Sequence, residues 1–135
     1  MKIVTYKSGE AIDLGLLLGD KIYSLIAIAS SMNAFLQMGE SAMEKAKDLE
    51  ESIKNGSSNS IGISLSNSEL LAPVPCPPSC RDAYAFRQHV ATARRNRGVD
   101  MIPEFDQFPI FYFTNHNAIL GPTDDILCMP DHMQK

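Results

Sequence analysis

Apolar and polar residues are arranged along the chain in short blocks whose period changes from two to about three and a half and back. Strand-like residues open the sequence at Lys2–Lys7. A second apolar block, Ala11–Leu18, is followed by Gly19-Asp20 and then by Lys21–Leu25. A Gly-Asp pair between apolar runs tolerates positive φ and predicts a hairpin turn. Ser30 or Ser31 is placed to cap a short helix that runs to Met38 and is closed by Gly39. Ser41-Ala42-Met43-Glu44 has the form of a capping box, Ser followed three residues later by Glu. Beyond it Met43, Ala46, Leu49 and Ile53 recur at helical spacing, and Glu50 and Lys54 form a favourable i,i+4 pair. The spacing predicts a helix that ends near Asn55-Gly56, and Gly56–Ser60 reads as a surface loop. Ile61, Ile63 and Leu65 then alternate with Gly62 and Ser64, which predicts a strand ahead of Leu70-Leu71.

From Arg81 to Arg97 the chain has no glycine or proline and is rich in alanine and arginine, so a helix is expected there. Ser79 stands at its N-cap position and Gly98 at its stop. The prolines at 73, 75, 77 and 78 favour extended backbone and remove amide donors. They coincide with a change in the basic residues, all lysine before and, over the next stretch, five arginines (Arg81, Arg87, Arg94, Arg95, Arg97). These signals predict an N-terminal domain over 1–71, a proline-rich linker over 72–79 and a second unit over 80–135. The expected fold class is α+β, beginning with a small α/β domain of short strands and helices.

Composition narrows the function only by exclusion. Of the 135 residues 44% are hydrophobic and 21% charged, which fits an ordinary globular chain. A net charge of −4 supplies no global attraction to nucleic acid or to a membrane surface. The apolar runs Leu14–Leu18 and Leu25–Ala29 are too short to cross a bilayer, and Met1–Tyr6 reads as a strand rather than a signal peptide, so a cytoplasmic protein is expected. Cys76, Cys80 and Cys128 are odd in number, which argues against a disulfide framework and for free thiols. A zinc site on Cys76 and Cys80 would need a second ligand pair that the sequence does not offer. Met32, Met38 and Met43 could give an adaptable binding face, but filling the core is the simpler use of them.

Chemistry concentrates in Ser79–Gly98. On one continuous helix Asp82, Phe86, His89 and Ala93 would share a face, with Asp82 and His89 separated by roughly 10 Å of rise, too far to bond directly. A carboxylate suits a hard cation such as Mg²⁺ or Ca²⁺. A histidine beside an activated water is a natural general base. Each has a plainer use: an aspartate at a helix start answers the helix dipole, a lone helical histidine is solvated or bonded to a neighbour, and the arginines form a solvated face or a phosphate-binding patch. Nothing in the pattern supports nucleic-acid binding.

Leu71-Ala72-Pro73-Val74-Pro75, then Ser79-Cys80-Arg81-Asp82-Ala83-Tyr84-Ala85-Phe86-Arg87-Gln88-His89, and later Glu104–Asn115, resemble the fumarylacetoacetate hydrolase family. The likeness is tight from Leu71 to about Pro122 and looser before it, where Val4-Thr5-Tyr6 and Leu14-Gly15-Leu16-Leu17 fit the small N-terminal domain such proteins carry. The resemblance implies a metal-dependent enzyme that cleaves a carbon–carbon bond in a β-diketo acid, fumarylacetoacetate giving fumarate and acetoacetate. It implies Asp82 as a ligand to Mg²⁺ or Ca²⁺ and His89 as the residue that activates water. Tyr84, Tyr112 and Arg97 are implied as substrate contacts, although Arg97 stands one residue closer to His89 than the family arginine does. Arg87 has no implied role and is expected to pair with a neighbouring acid. The family completes its metal site with a Glu-x-Glu pair and a later aspartate, and no glutamate follows Glu104 here. Asp124, Asp125 and Asp131 are local substitutes, though Asp124-Asp125 reads better as a polar turn.

The expectation is therefore the N-terminal domain and the start of a mixed β-roll catalytic domain, a fragment inactive by itself. Phe108–Phe113 would leave an apolar strand edge that favours self-association, such as a homodimer, or disorder from Arg81 onward. Two alternatives accompany this reading. One is a non-catalytic module for folding or oligomerisation. The other is a parent enzyme that decarboxylates, isomerises or hydrates another small keto acid.

Overall fold

The structure is a computed structural model, and it describes residues 1–125. Its elements make an α+β fold: seven strands, three α-helices and two 3₁₀ turns among the described residues. Contacts within the chain gather into two units, one of residues 1–76 with residues 117–125, the other Pro77–His116.

The first unit is built on a five-stranded antiparallel sheet. Its strands are β1 (Lys2–Ser8), β2 (Ala11–Leu18), β3 (Lys21–Ser24), β4 (Ile63–Ser64) and β5 (Glu69–Leu70), in spatial order β4-β3-β2-β1-β5. Gly9 and Gly19 take φ of +63° and +59°, the left-handed turns that reverse the chain on either side of β2. Register explains which residues are buried. Thr5 lies opposite Leu14 and Ile3 opposite Leu16, so these side chains share one face. That face is covered by α1 (Met32–Met38) and α2 (Glu40–Lys54), and Leu14, Leu16, Leu25, Phe35, Ala42 and Ala46 form the heart of the core. On the opposite face Gly15 makes room for its neighbours: a Cβ built there would stand 2.3 Å from Ile22 Cγ2 and 2.8 Å from Tyr6 Cε1.

Ser31 caps α1, its Oγ accepting from the Ala34 amide at 3.2 Å, as the sequence predicts. The capping box at Ser41 does not form. Helix α2 begins at Glu40 with Gly39 as its N-cap, because Gly39 at φ +59° turns one helix directly into the next. Ala42 and Ala46 are the fully buried residues of α2, and Met43, Leu49 and Ile53 pack partly against the core. The Glu50–Lys54 pair forms at 2.9 Å, and the N-terminal ammonium reaches the same carboxylate at 3.5 Å. Hydrogen bonding from Lys54 holds the Glu50 carboxyl below its ordinary range. The strand expected over Ile61–Leu65 shrinks to Ile63–Ser64. Leu65 bonds back to the Asp20 carbonyl and the chain coils into a 3₁₀ turn, Leu65–Asn67.

The proline-rich stretch lies against the first unit as far as Cys76. Ala72 is buried, Thr5 Oγ1 donates to the Pro73 carbonyl at 2.8 Å, and Asn33 Nδ2 donates to the Cys76 carbonyl at 2.7 Å. Residues 117–125 return to this unit at Gly121, where an added Cβ would meet Leu70 O at 2.9 Å and Leu71 Cα at 3.0 Å. Those atoms are backbone and cannot swing aside. Gly121→Ala is accordingly expected to lift this segment away, seen as faster amide exchange at Leu71 and Ala72 with the β1–β2 ladder unchanged. Unaltered exchange there would contradict the close approach.

The second unit departs from the expected continuous helix. Cys80–Ala83 is a strand, β6, paired antiparallel with β7 (Phe111–Thr114), and only Arg87–Asn96 is helical, as α3. The pairing places Arg81 opposite Phe113 and Asp82 opposite Tyr112, and the Tyr84 amide continues the ladder to the Ile110 carbonyl at 3.1 Å. Long-range strand pairing thus overrides a local helix preference worth only tenths of a kcal/mol per residue. Helix α3 starts after Phe86 with no side-chain cap, and its Val90 is the buried contact. Gly98, at φ +70°, follows its C-cap, where the sequence places the stop.

Candidate functional site

Strand pairing assembles the polar centre of the second unit. Successive residues of a strand face opposite ways, so Asp82 and Tyr112, directly across from one another, lie on one face of the β6–β7 pair. The Tyr112 hydroxyl donates to Asp82 Oδ2 at 2.6 Å, across 30 positions of sequence. That bond exists only while the phenol keeps its proton. It therefore raises the Tyr112 pKa, with the Asp82 charge, partial desolvation and nearby Tyr84 adding to the effect. With its proton committed to Asp82, the phenol oxygen still has lone pairs with which to accept a bond from a hydroxyl group.

The sign of this linkage is fixed. A phenol whose pKa is raised by folding contributes stability in full below the ordinary tyrosine range, and loses it as pH climbs through the raised pKa. In Asp82→Asn the charge is gone, and the Tyr112 titration is expected to move down toward that of an ordinary phenol. NMR of the labelled tyrosine ring carbons measures this directly. An unchanged midpoint would mean that the hydroxyl and carboxylate are not paired in solution.

Of the other residues singled out from sequence, Tyr84 stands near this pair, and His89 and Arg97 belong to α3 and its C-cap. Tyr84, just past β6, is half-exposed and lines a groove with Phe105, Phe108 and Ile110. His89 sits in the first turn of α3, exposed, in an open groove with Ala85, Phe86, Arg87, Gln88 and Thr92; Asp82 is not among its lining residues. Arg97 is the C-cap of α3, about 12 Å of helical rise beyond His89. The shared helical face expected for Asp82, Phe86, His89 and Ala93 does not exist, because Asp82 is on a strand and Phe86 is the N-cap residue.

Arg87 does pair with an acid. Its Nε and Nη2 donate to Asp106 Oδ1 and Oδ2 at 2.8 and 3.1 Å, a two-pronged bond that ties the start of α3 to the 3₁₀ turn Pro103–Asp106. Hydrogen bonding to Arg87 holds the Asp106 carboxyl below its ordinary range. On the other face of β6–β7 the Arg81 guanidinium lies over two rings, 5.4 Å from the centre of Phe111 and 5.0 Å from that of Phe113. The rings meet edge to face at 5.6 Å. This trio escaped sequence reasoning. Its one signal is the alternation of Phe111 and Phe113 around Tyr112, which becomes informative only once Arg81 is known to lie on a strand.

Cys76 and Cys80 are free thiols, and Cys128 and Asp131 lie outside the described residues. Asp124 does make a turn, its carboxylate accepting from the Gly121 amide at 2.6 Å. Among the described residues no three His, Cys, Asp or Glu side chains gather closely enough to hold a metal ion. Mg²⁺ takes six oxygen ligands and Ca²⁺ six to eight. Asp82, with one oxygen already bonded to Tyr112, does not make such a site by itself. No helix among the described residues is long and apolar enough to cross a membrane. No family model and no curated protein matches the sequence.

Proposed function

We propose that this sequence carries the N-terminal domain and the first part of the active site of a cytoplasmic hydrolase of the fumarylacetoacetate hydrolase family. The reaction proposed is cleavage of a β-diketo acid between carbons, fumarylacetoacetate giving fumarate and acetoacetate. The observation that carries the reading is the Tyr112–Asp82 hydrogen bond. Two residues marked by the family resemblance, far apart in sequence, meet through strand pairing. In the proposed site Tyr112 accepts from an enol hydroxyl of the substrate while Asp82 fixes its ring. His89, exposed at the mouth of its groove, takes a proton from the attacking water. Tyr84 and Arg97 contact the substrate, Arg97 through a carboxylate.

The family's Mg²⁺ or Ca²⁺ requires carboxylates beyond those the described residues provide. The 135-residue chain is accordingly proposed to be inactive alone, and to bind Mg²⁺ or Mn²⁺ more weakly than about 10⁻³ M, the weak end of protein sites for such ions. Two measurements test the reading. The complete reading frame containing this sequence is assayed by loss of diketo-acid absorbance, with fumarylacetoacetate and simple acylpyruvates as competing substrates. Turnover of neither would sink the proposal, whereas acylpyruvate alone would redirect it to a related keto-acid lyase or isomerase. Calorimetric titration of the chain itself covers the metal: sub-millimolar binding abolished by Asp82→Ala would show that a site assembles without further ligands.

A second reading, a non-catalytic module for folding and oligomerisation, is favoured by the aromatic strand pair, whose residues in β7 are all exposed.

A further inference from the structure

We propose that Asn55-Gly56, at the end of α2, is a self-modification site where the folded chain converts its own asparagine to aspartate and isoaspartate, with Ser57 activating the side-chain carbonyl. The inference stands apart from the enzymatic reading and concerns the first unit alone.

The sequence contains seven asparagines, and only Asn55 is followed by glycine. That order matters chemically. The side-chain carbonyl of an asparagine is open to attack by the backbone nitrogen of the next residue. A side chain on that residue crowds the approach, and glycine has none. Asn55 and Gly56 are both exposed, so water and solvent base reach them.

The fold prepares the carbonyl for this attack. Asn55 is the C-cap of α2, and its Oδ1 accepts from the Ser57 amide at 3.0 Å and from the Ser57 hydroxyl at 2.6 Å. Two donors on one carbonyl oxygen draw charge from Cγ and stabilise the oxyanion that forms when a nucleophile adds there. The nucleophile itself is restrained. The Gly56 amide donates to the Ile53 carbonyl at 3.2 Å and must leave it before its nitrogen turns to Cγ. Helix ends fray, and this bond belongs to the last turn of a helix.

The steps balance without oxidation or reduction. Solvent base takes the proton of the Gly56 amide as its nitrogen bonds to Asn55 Cγ, closing a cyclic imide. The Cγ–Nδ2 bond breaks, and the side-chain nitrogen leaves as ammonia with a proton from water. Water then opens the imide at either of its carbonyls. Opening at the former side-chain carbonyl leaves aspartate at position 55. Opening at the backbone carbonyl leaves isoaspartate, with the chain now running through the side-chain carbon.

Either product puts a carboxylate at the C-terminal end of α2, where the helix dipole disfavours an anion. Isoaspartate also lengthens the backbone between α2 and the residues that close its end. Ser57 and Ser58 both donate their amides to the Ser52 carbonyl, at 2.9 and 3.0 Å. That closure follows directly on Ile53, which packs against the core. The conversion therefore loosens the end of α2 in one direction only, as a clock of the chain's age.

The test uses the whole 135-residue chain, incubated in mildly alkaline, ammonia-free buffer. Tandem mass spectrometry of its peptides locates the conversion, and an isoaspartate-specific methyltransferase gives a second readout. Asn55 is expected to convert ahead of Asn59 and Asn67, exposed asparagines that are followed by serine. Ser57→Ala is expected to slow the conversion several-fold, less than loss of such a donor costs in a water-excluded site. Ser57→Thr, which keeps a hydroxyl, is expected to restore the rate. Unfolding in urea is expected to erase these differences, since the donor geometry belongs to the fold. The converted chain, separated by its extra negative charge, is expected to exchange its position 57 and 58 amides faster, with the β1–β2 ladder unchanged. Conversion of Asn59 or Asn67 before Asn55 overturns the site. A rate that Ser57→Ala leaves unchanged or raises, or a slowing that persists in urea, overturns the role of Ser57. Unaltered amide exchange in the converted chain overturns the loosening of α2.

Discussion

Leu14→Ala is expected to lower the stability of the first unit by about 2–5 kcal/mol, the usual range for emptying a buried leucine site. Leu14 has no exposed surface and lies in β2, the middle strand of the order β4-β3-β2-β1-β5. Its carbonyl receives the Leu25 amide at 2.8 Å, and it packs in one cluster with Leu16, Phe35, Ala42 and Ala46. The alanines of α2 already bring helix and sheet close together, so there is little slack for neighbours to close the void. Whole domains are stable by only about 5–15 kcal/mol, so the loss is a large fraction of the total. The control is Ile12→Ala in the same strand. Ile12 is 59% exposed, and surface changes of this kind fall within about ±0.5 kcal/mol. Urea unfolding followed by circular dichroism compares the two midpoints. Equal shifts would mean that the sheet face against the helices is not the core.

The first unit was largely readable from sequence because its instructions are local. Gly19 supplies the positive φ of a tight reversal, and Ser31 supplies its own helix cap. The misreading at Ser41 has a local cause as well. Two cap signals two residues apart competed, and Gly39 won because its backbone could link α1 and α2 without an intervening loop. The second unit was legible as a set of residues and not as a shape. Arg81–Arg97 satisfies every short-range rule for a helix, yet its first residues pair with a strand some thirty positions later. No window of local propensity contains Tyr112 and Asp82 together. Their bond could be read only from structure, and with it went the idea that Asp82 and His89 share a helical face. The pairing of Arg87 with Asp106 was foreseeable in kind, since an exposed guanidinium seeks an acid. Its partner was not, because the choice depends on how α3 meets the turn at Pro103–Asp106.

The same distinction between local and assembled features bears on catalysis. His89→Ala, made in the complete enzyme proposed above, is expected to lower kcat by about 10²–10⁴, the usual contribution of a positioned general base. The magnitude follows from what the residue must do. Water is a poor nucleophile toward a ketone carbonyl until its proton is taken, and the β-diketo substrate has no strongly basic group to take it. His89 stands in the first turn of α3 and lines an open groove, so a water molecule can reach it. Being exposed, it can be removed without emptying the core. The fold should survive, and unchanged circular dichroism would establish that. KM should change little, since the imidazole acts on water and not on the substrate carboxylates. Gln88→Ala, in the same turn and the same groove, separates loss of a base from disturbance of the helix, and should retain most of the activity. A His89→Ala enzyme that keeps more than about a tenth of wild-type kcat, or one that loses it only through a higher KM, would remove His89 from the proton-transfer step. The Asp82–Tyr112 pair would then be the next assembled feature among the described residues to test for a part in the reaction.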